Sequence, residues 1–132
     1  MKVAEKFIES GHLRLLGIRR DVSQLIAATD ILVFPSTVPH FARPVIEASA
    51  MAKPVIASDI GGPRELVVPN ETGLLIPPDN PEQLAAAIVS LLDDPELMIR
   101  MGEKGYRRAT NKFDAQVNSK RTFAVYDELL LT

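Results

Sequence analysis

Apolar positions fall at helical spacing toward both ends of the chain and in short unbroken runs between them. In residues 1–10, Val3, Phe7 and Ile8 share one side while Lys2, Glu5, Lys6 and Glu9 lie elsewhere, which predicts an amphipathic helix. Gly11 ends it as a C′ glycine. Residues 12–17 (HLRLLG) read as a strand with Leu13, Leu15 and Leu16 turned inward. Asp21 is placed to cap a helix over 22–28, with Val22, Leu25 and Ile26 as its buried stripe. The runs at 31–34 (ILVF) and 54–58 (PVIAS) are continuously apolar up to Ser58, as expected of parallel strands covered on both faces. A helix over 44–52, rich in Ala48, Ser49, Ala50 and Ala52, connects them and is small enough to pack closely on a sheet.

The second half continues the alternation. Gly61-Gly62-Pro63 predicts a tight turn into a short helix, with Pro63 at its start. A turn at 70–73 leads to a strand over 74–76 and then to Pro77-Pro78. Asn80-Pro81-Glu82-Gln83 combines an N-cap, a proline at N1 and a capping-box glutamine, followed by the stripe Leu84, Ile88, Leu91, Leu92. Asp94-Pro95 repeats the signal before Leu97, Met98 and Met101, although Gly102 and Gly105 weaken the second half of that helix. Asp114 opens a last helix carrying Val117, Ala124, Tyr126 and Leu129. Strands alternating with helices define an α/β protein. Four strands are expected, at about 13–17, 31–34, 54–58 and 74–76. The first two should be near neighbours, because the chain between them is short.

Composition narrows the function. A chain of 132 residues fits one domain with a real core, and 46% hydrophobic with 24% charged residues is ordinary for a globular protein. Fifteen basic residues against 17 acidic give a net charge of −2, with no basic cluster. That argues against nucleic acid or an anionic membrane surface as the main partner. Cysteine is absent, which excludes disulfides and thiolate metal sites. No apolar run reaches membrane-spanning length and the N-terminus lacks a signal peptide's apolar stretch. A soluble, cytoplasmic domain is expected.

The chemistry concentrates in residues 34–65, a strand–loop–helix–strand unit whose polar loop lies at a strand's carboxyl end. Open α/β sheets bind ligands at such places. Pro44 fits the first helical position, which makes Arg43 the expected N-cap and a poor one. The N–H groups of Val45, Ile46 and Glu47 then lack a side-chain acceptor, and a phosphate would satisfy both them and the helix dipole. Glu47, expected in the first turn, has two uses. It complements the dipole without any ligand, or it accepts hydrogen bonds from a ribose or sugar diol.

The run ARPVIEASAMAKPVIASDIGGPREL resembles the signature of the retaining nucleotide-sugar glycosyltransferases of family 4 (group 1), whose catalytic domains have the two-Rossmann GT-B fold. Their motif is a Glu, seven residues, a second Glu, a small-residue helix and a Lys-Pro-Val strand. Glu47 falls on the second Glu, while Pro39 occupies the place of the first, and Ala42 and Ala52 stand where glycine is usual. The strand followed by Gly17 is similar to the family's approach to the nucleotide base through main-chain groups, although a plain turn also explains it. The stretch 72–75 is similar to the family's Thr-Gly-Leu-Leu strand. The resemblance covers nearly all of the chain but only the last part of the family's usual length.

The resemblance implies the C-terminal part of a GT-B fold, with residues 1–132 forming a single partial Rossmann-like domain that binds the donor. The sugar donor would be UDP-, GDP- or ADP-linked, and transfer would retain configuration. Glu47 would hold the ribose hydroxyls, and the turn Phe41-Ala42-Arg43-Pro44-Val45 would present main-chain N–H groups to diphosphate or sugar, with Arg43 as a charge partner. Ser36 and His40 in the loop, Gly17 and Arg19 after the first strand, and the Gly61-Gly62 turn complete the expected binding residues. His40 also fits a plain exposed loop histidine, and the double glycine a plain turn. No catalytic base is assignable, and no His/Cys set or Asp-rich motif points to a metal or other cofactor. The family's first strands, with the Arg and Lys that hold the diphosphate, have no counterpart here, so the isolated chain is expected to be inactive. A missing N-terminal domain would supply the acceptor site, and the open sheet edge invites pairing with a second copy. The rival reading is a non-catalytic nucleotide-binding or assembly module built on the same fold, favoured by Pro39. A receiver-like or flavodoxin-like domain fits less well, since there is no acidic cluster after an early strand and no flavin phosphate loop.

Overall fold

The computed structural model describes residues 2–131, with the side chains of residues 2 and 3 outside the description. The expectations for Met1 and for the Val3 side chain therefore lie outside the described residues. The elements in order are α1 (Lys2–Glu9), α2 (Val22–Ala27), β1 (Leu32–Phe34), α3 (Arg43–Ala50), β2 (Val55–Ser58), α4 (Gly61–Leu66), β3 (Gly73–Ile76), α5 (Pro81–Leu92), α6 (Pro95–Lys112) and α7 (Ala115–Leu130).

Three parallel strands pair in the order β1-β2-β3. Val33 stands opposite Ile56 in one ladder, and Ile56 opposite Leu74 in the other. All four residues of β2 are buried, as its unbroken apolar run requires of a central strand. Side-chain alternation sends Val55 and Ala57 into one core with Val45, Ala48 and Leu66, against α3 and α4. It sends Ile56 into a second core with Ile76, Leu91 and Met101, against α5 and α6. The cap signals of the last three helices are used as written. Asn80 Oδ1 accepts from the Gln83 N–H at 2.9 Å and Asp94 Oδ1 from the Leu97 N–H at 2.9 Å. Asp114 Oδ1 accepts from the N–H groups of Gln116 and Val117.

Four sequence expectations need correction. Residues 13–17 form no strand: Leu15 is 77% exposed, Leu13 and Leu16 are also exposed, and the Leu13 N–H turns back to the Phe7 carbonyl. Nor do they neighbour β1, which pairs with β2 alone among the described strands. A strand without a partner has no ladder to join. Asp21 precedes α2 but makes no capping hydrogen bond, because Arg19 has taken its carboxylate. Gly102 and Gly105 do not interrupt α6, which runs unbroken for 18 residues. A Cβ on Gly102 would lie 2.0 Å from the Ala52 carbonyl oxygen, so glycine is what lets α6 cross α3 closely. Finally, α4 begins at Gly61, with Pro63 as its third residue.

The ends of the chain are lightly held. No residue of α7 is buried, and Phe123, Val125 and Leu130 are exposed. No helix among the described residues is long and apolar enough to cross a membrane.

Candidate functional site

The loop 35–42 leaves the carboxyl end of β1 and is shaped by its own polar groups. Ser36 Oγ donates to the Val38 carbonyl at 2.9 Å, and His40 Nδ1 lies 2.7 Å from the same oxygen. A carbonyl only accepts, so Nδ1 carries the proton and, in the neutral ring, Nε2 is left as an acceptor. The His40 ring also packs on Phe34, with centroids 5.2 Å apart. Phe41 is exposed, whereas Ala42 is fully buried at the start of α3.

Helix α3 starts one residue earlier than the proline suggested. Ala42 is the N-cap, Arg43 is the first helical residue and Pro44 the second. The missing proline N–H is harmless at either position, since both precede the first intrahelical donor. Glu47 is consequently in the second turn, where the dipole contributes less to its placement. Two donors of the turn are already engaged: the Arg43 N–H donates to Phe41 and the Val45 N–H to Ala42, at 2.8 and 3.0 Å. The N–H groups of Phe41 and Ala42 make no hydrogen bond with the described residues.

Glu47 and Arg43 stand one helical turn apart, with Arg43 Nη2 3.6 Å from Glu47 Oε1. The arginine side chain is 79% exposed and the glutamate 39%. An exposed i,i+4 pair of this kind contributes only about 0.3–0.5 kcal/mol, so either partner is free to turn to a ligand at little cost.

Gly61 and Gly62 close the site from β2. Gly61 has φ +31°, and a Cβ there would meet Pro39 Cβ at 2.9 Å. A Cβ on Gly62 would lie 2.2 Å from the His40 carbonyl oxygen. The double glycine is therefore more than a turn, because it lets the start of α4 pack against residues 39–41. Beside it Arg64 donates from Nε to Asp59 Oδ1 at 2.7 Å and from Nη2 to the Asp59 carbonyl at 2.8 Å, and the carboxylate raises the guanidinium pKa. Arg108, which the sequence reading did not single out, reaches from α6 to the Leu66 and Glu65 carbonyls at the end of α4.

Thus Ser36, His40, Phe41, Ala42, Arg43, Pro44, Val45, Glu47, Gly61 and Gly62 belong to one loop-and-helix unit. Gly17 and Arg19 lie instead on the exposed segment before α2. Gly17 has φ +65° with open space around its Cβ position, and Arg19 is paired to Asp21. Among the described residues, no group of three or more His, Cys, Asp or Glu side chains is placed to hold a metal ion.

A three-stranded parallel sheet with helices on both faces is an arrangement the chain shares with solved glycosyltransferases of the GT-B fold. The sequence matches the family described as Glycosyl transferases group 1 over residues 2–108, and the chain belongs to that family. It is 33% identical over 111 residues to the MMP alpha-(1->4)-mannosyltransferase of Mycolicibacterium hassiacum, covering 83% of this chain and 27% of that protein. It is 34% identical over 123 residues to the glycogen synthase of Mycobacterium tuberculosis, covering 93% of this chain and 28% of the relative. Anabaena HepE in complex with UDP superposes with a TM-score of 0.86 at 27% identity, over 96% of this chain and 36% of HepE. Sucrose-phosphate synthase from Thermosynechococcus elongatus gives 0.87 at 30% identity, over 98% and 33%. The chain spans about a third or less of the length of the two curated relatives.

Proposed function

We propose that this chain is the donor-binding part of a glycosyltransferase and holds the nucleoside diphosphate of a nucleotide sugar at the start of α3. The observation that carries the reading is the loosely paired Glu47 and Arg43 beside the unpaired N–H groups of Phe41 and Ala42. In this reading Glu47 accepts hydrogen bonds from the ribose hydroxyls, charge-assisted and so stronger than neutral ones. Arg43 swings from Glu47 to the diphosphate, and the two N–H groups meet a phosphate or sugar oxygen. The UDP complex of HepE, a protein of the same fold, supports a uridine nucleotide as the first to try.

In the whole protein the bond between the anomeric carbon and the diphosphate oxygen breaks. The acceptor oxygen bonds the same carbon on the same face, and the acceptor proton passes to the departing phosphate. Charge stabilisation of that phosphate is then the main catalytic term, and Arg43 and the loop N–H groups supply it from this side. Pro39 lies against Gly61 and brings no carboxylate to the loop at the position of the family's first Glu. That favours a second reading, a module that binds the nucleotide without transferring. Calorimetric titration of UDP, GDP and ADP into the wild-type chain and Glu47→Ala tests the proposal. Saturable binding of one nucleotide, weakened in the variant, supports it, and equal affinity in both proteins overturns it. Release of free sugar from a nucleotide sugar, assayed on the whole protein, separates the enzyme from the module.

A further inference from the structure

Helix α4 ends on carbonyls that no nearby N–H satisfies. The last four carbonyls of a helix have no partner within it. In α4 the Val67 N–H takes that of Pro63 at 2.9 Å. The donors that follow in the chain are spent elsewhere: the Val68 N–H goes to Thr72 Oγ1 at 2.9 Å, Pro69 has none, and the Asn70 N–H goes to the Gly73 carbonyl at 2.9 Å. The Glu65 and Leu66 carbonyls are met instead by Arg108, 43 and 42 residues away, with Nη2 2.9 Å from the first and Nε 3.1 Å from the second. The part of α6 that carries Arg108 is itself well held. Met101 and Ala109 are buried, and Gly102 stands against the Ala52 carbonyl at the end of α3. One helix thus holds both α3, which carries Glu47, and the end of α4.

A cap that only stabilised α4 would matter little to the site, but α4 is a short rod with the loop at its other end. Gly62 precedes Leu66 by four residues, about 6 Å of helical rise. A Cβ on Gly62 would fall 2.2 Å from the His40 carbonyl oxygen, so the two backbones are in close contact. That oxygen belongs to the same planar peptide unit as the Phe41 N–H, and turning one turns the other. The buried Pro63 and Leu66 fix which face of α4 is inward. Apolar burial is non-directional, however, and the two hydrogen bonds from Arg108 set where α4 stands along its axis. We propose that Arg108 is a positioning residue for the nucleotide site. By holding the Glu65 and Leu66 carbonyls it fixes where Gly62 meets the His40–Phe41 peptide, and so aims the Phe41 N–H at the phosphate. This rests on the donor-binding reading for the ligand, and on Arg108, Gly62 and His40 for the contacts.

The test compares amide NMR spectra of the full chain in three variants. Arg108→Met keeps an unbranched side chain and removes the donors, and Arg108→Lys keeps a donor able to reach one carbonyl. Asp94→Ala removes the cap at the other end of α6, about 20 Å away along the helix, and so lowers stability while leaving α4 held. Arg108→Met should displace the Phe41 and Ala42 amides, Arg108→Lys should displace them less, and Asp94→Ala should leave them in place. UDP affinity, followed in the same spectra, should fall roughly twofold to thirtyfold in Arg108→Met and recover in part in Arg108→Lys. Uridine, which has no phosphate, should bind the wild-type chain and Arg108→Met alike. Unmoved Phe41 and Ala42 amides in Arg108→Met, an equal displacement in Asp94→Ala, or an equal loss for uridine and UDP would overturn the proposal. Should Arg108→Met not fold, Arg108→Lys decides in its place, and no displacement of the two amides in that variant overturns it. Failure of the wild-type chain to bind UDP would count against the donor-binding reading, and the amide comparison would still decide whether Arg108 sets the peptide.

Discussion

Replacing Gly62 by alanine connects packing to the site in one step. A Cβ at this position would lie 2.2 Å from the His40 carbonyl oxygen and 3.1 Å from both the His40 carbonyl carbon and Phe41 Cα. The first distance falls about 1.2 Å short of the 3.4 Å at which ordinary van der Waals contact begins. The obstacle is backbone and cannot rotate away, so either residues 39–41 or the start of α4 must move by about that distance. Overpacking of this kind typically costs about 1–3 kcal/mol. Restricting the unfolded chain by exchanging glycine for alanine returns about 0.4–1 kcal/mol. Taking the middle of each range, a net destabilisation of about 1.3 kcal/mol follows, which a urea melt reads as a fall in midpoint of about 0.6–0.7 M at a slope near 2 kcal/mol/M. The displaced loop carries the N–H groups of Phe41 and Ala42, so nucleotide affinity should fall as well. Because 1 Å misplacements of binding groups are costly, a loss of about tenfold or more is expected. An unchanged midpoint together with unchanged amide shifts at residues 39–43 would refute the reasoning, since it would mean that the contact has room to spare.

Ala52 has φ +54° at the end of α3, a conformation that disfavours a side chain, so Ala52→Gly should raise stability by up to about 1 kcal/mol in the same melt. Gly102→Ala should lower it by about 1–2 kcal/mol despite better helix propensity, because its Cβ would lie 2.0 Å from the Ala52 carbonyl oxygen. These two changes share a contact, and a double mutant should depart from additivity. The Arg19 hydrogen bond lowers the Asp21 pKa. A lowered folded-state value gives stability that is present above the ordinary aspartate pKa of about 3.9 and lost as pH falls through the folded value. Carboxyl NMR titration should find Asp21 below that value, and Arg19→Ala should bring it back up; no change in the variant would remove Arg19 as the cause.

Local chemistry was legible in the sequence and non-local geometry was not. Asn80-Pro81, Asp94-Pro95 and Asp114 announce helices whose caps form within three residues, so nothing distant competes for them. The strands at 32–34, 55–58 and 73–76 show as apolar runs because both faces of the sheet are covered. Residues 13–17 carry the same apolar signal, but a strand exists only against a neighbour, and none pairs there. Asp21 had the right residue type for a cap, and Arg19 two positions away took its carboxylate. Glu47 moved from the first turn to the second because proline fits both N1 and N2. The match to the family's second Glu, rather than its place in the helix, is what singles it out.

The central claim is that Glu47 holds a ribose, and calorimetry with UDP against 2′,3′-dideoxy-UDP tests it most directly. A hydrogen bond to a charged group contributes about 1.5–3 kcal/mol, so the wild-type chain should bind the dideoxy compound roughly 10- to 100-fold more weakly than UDP. In Glu47→Ala the two compounds should bind alike, both weakly, because the group that distinguishes them is gone. An equal loss in both proteins would contradict the account, since the ribose hydroxyls would then be recognised somewhere other than Glu47.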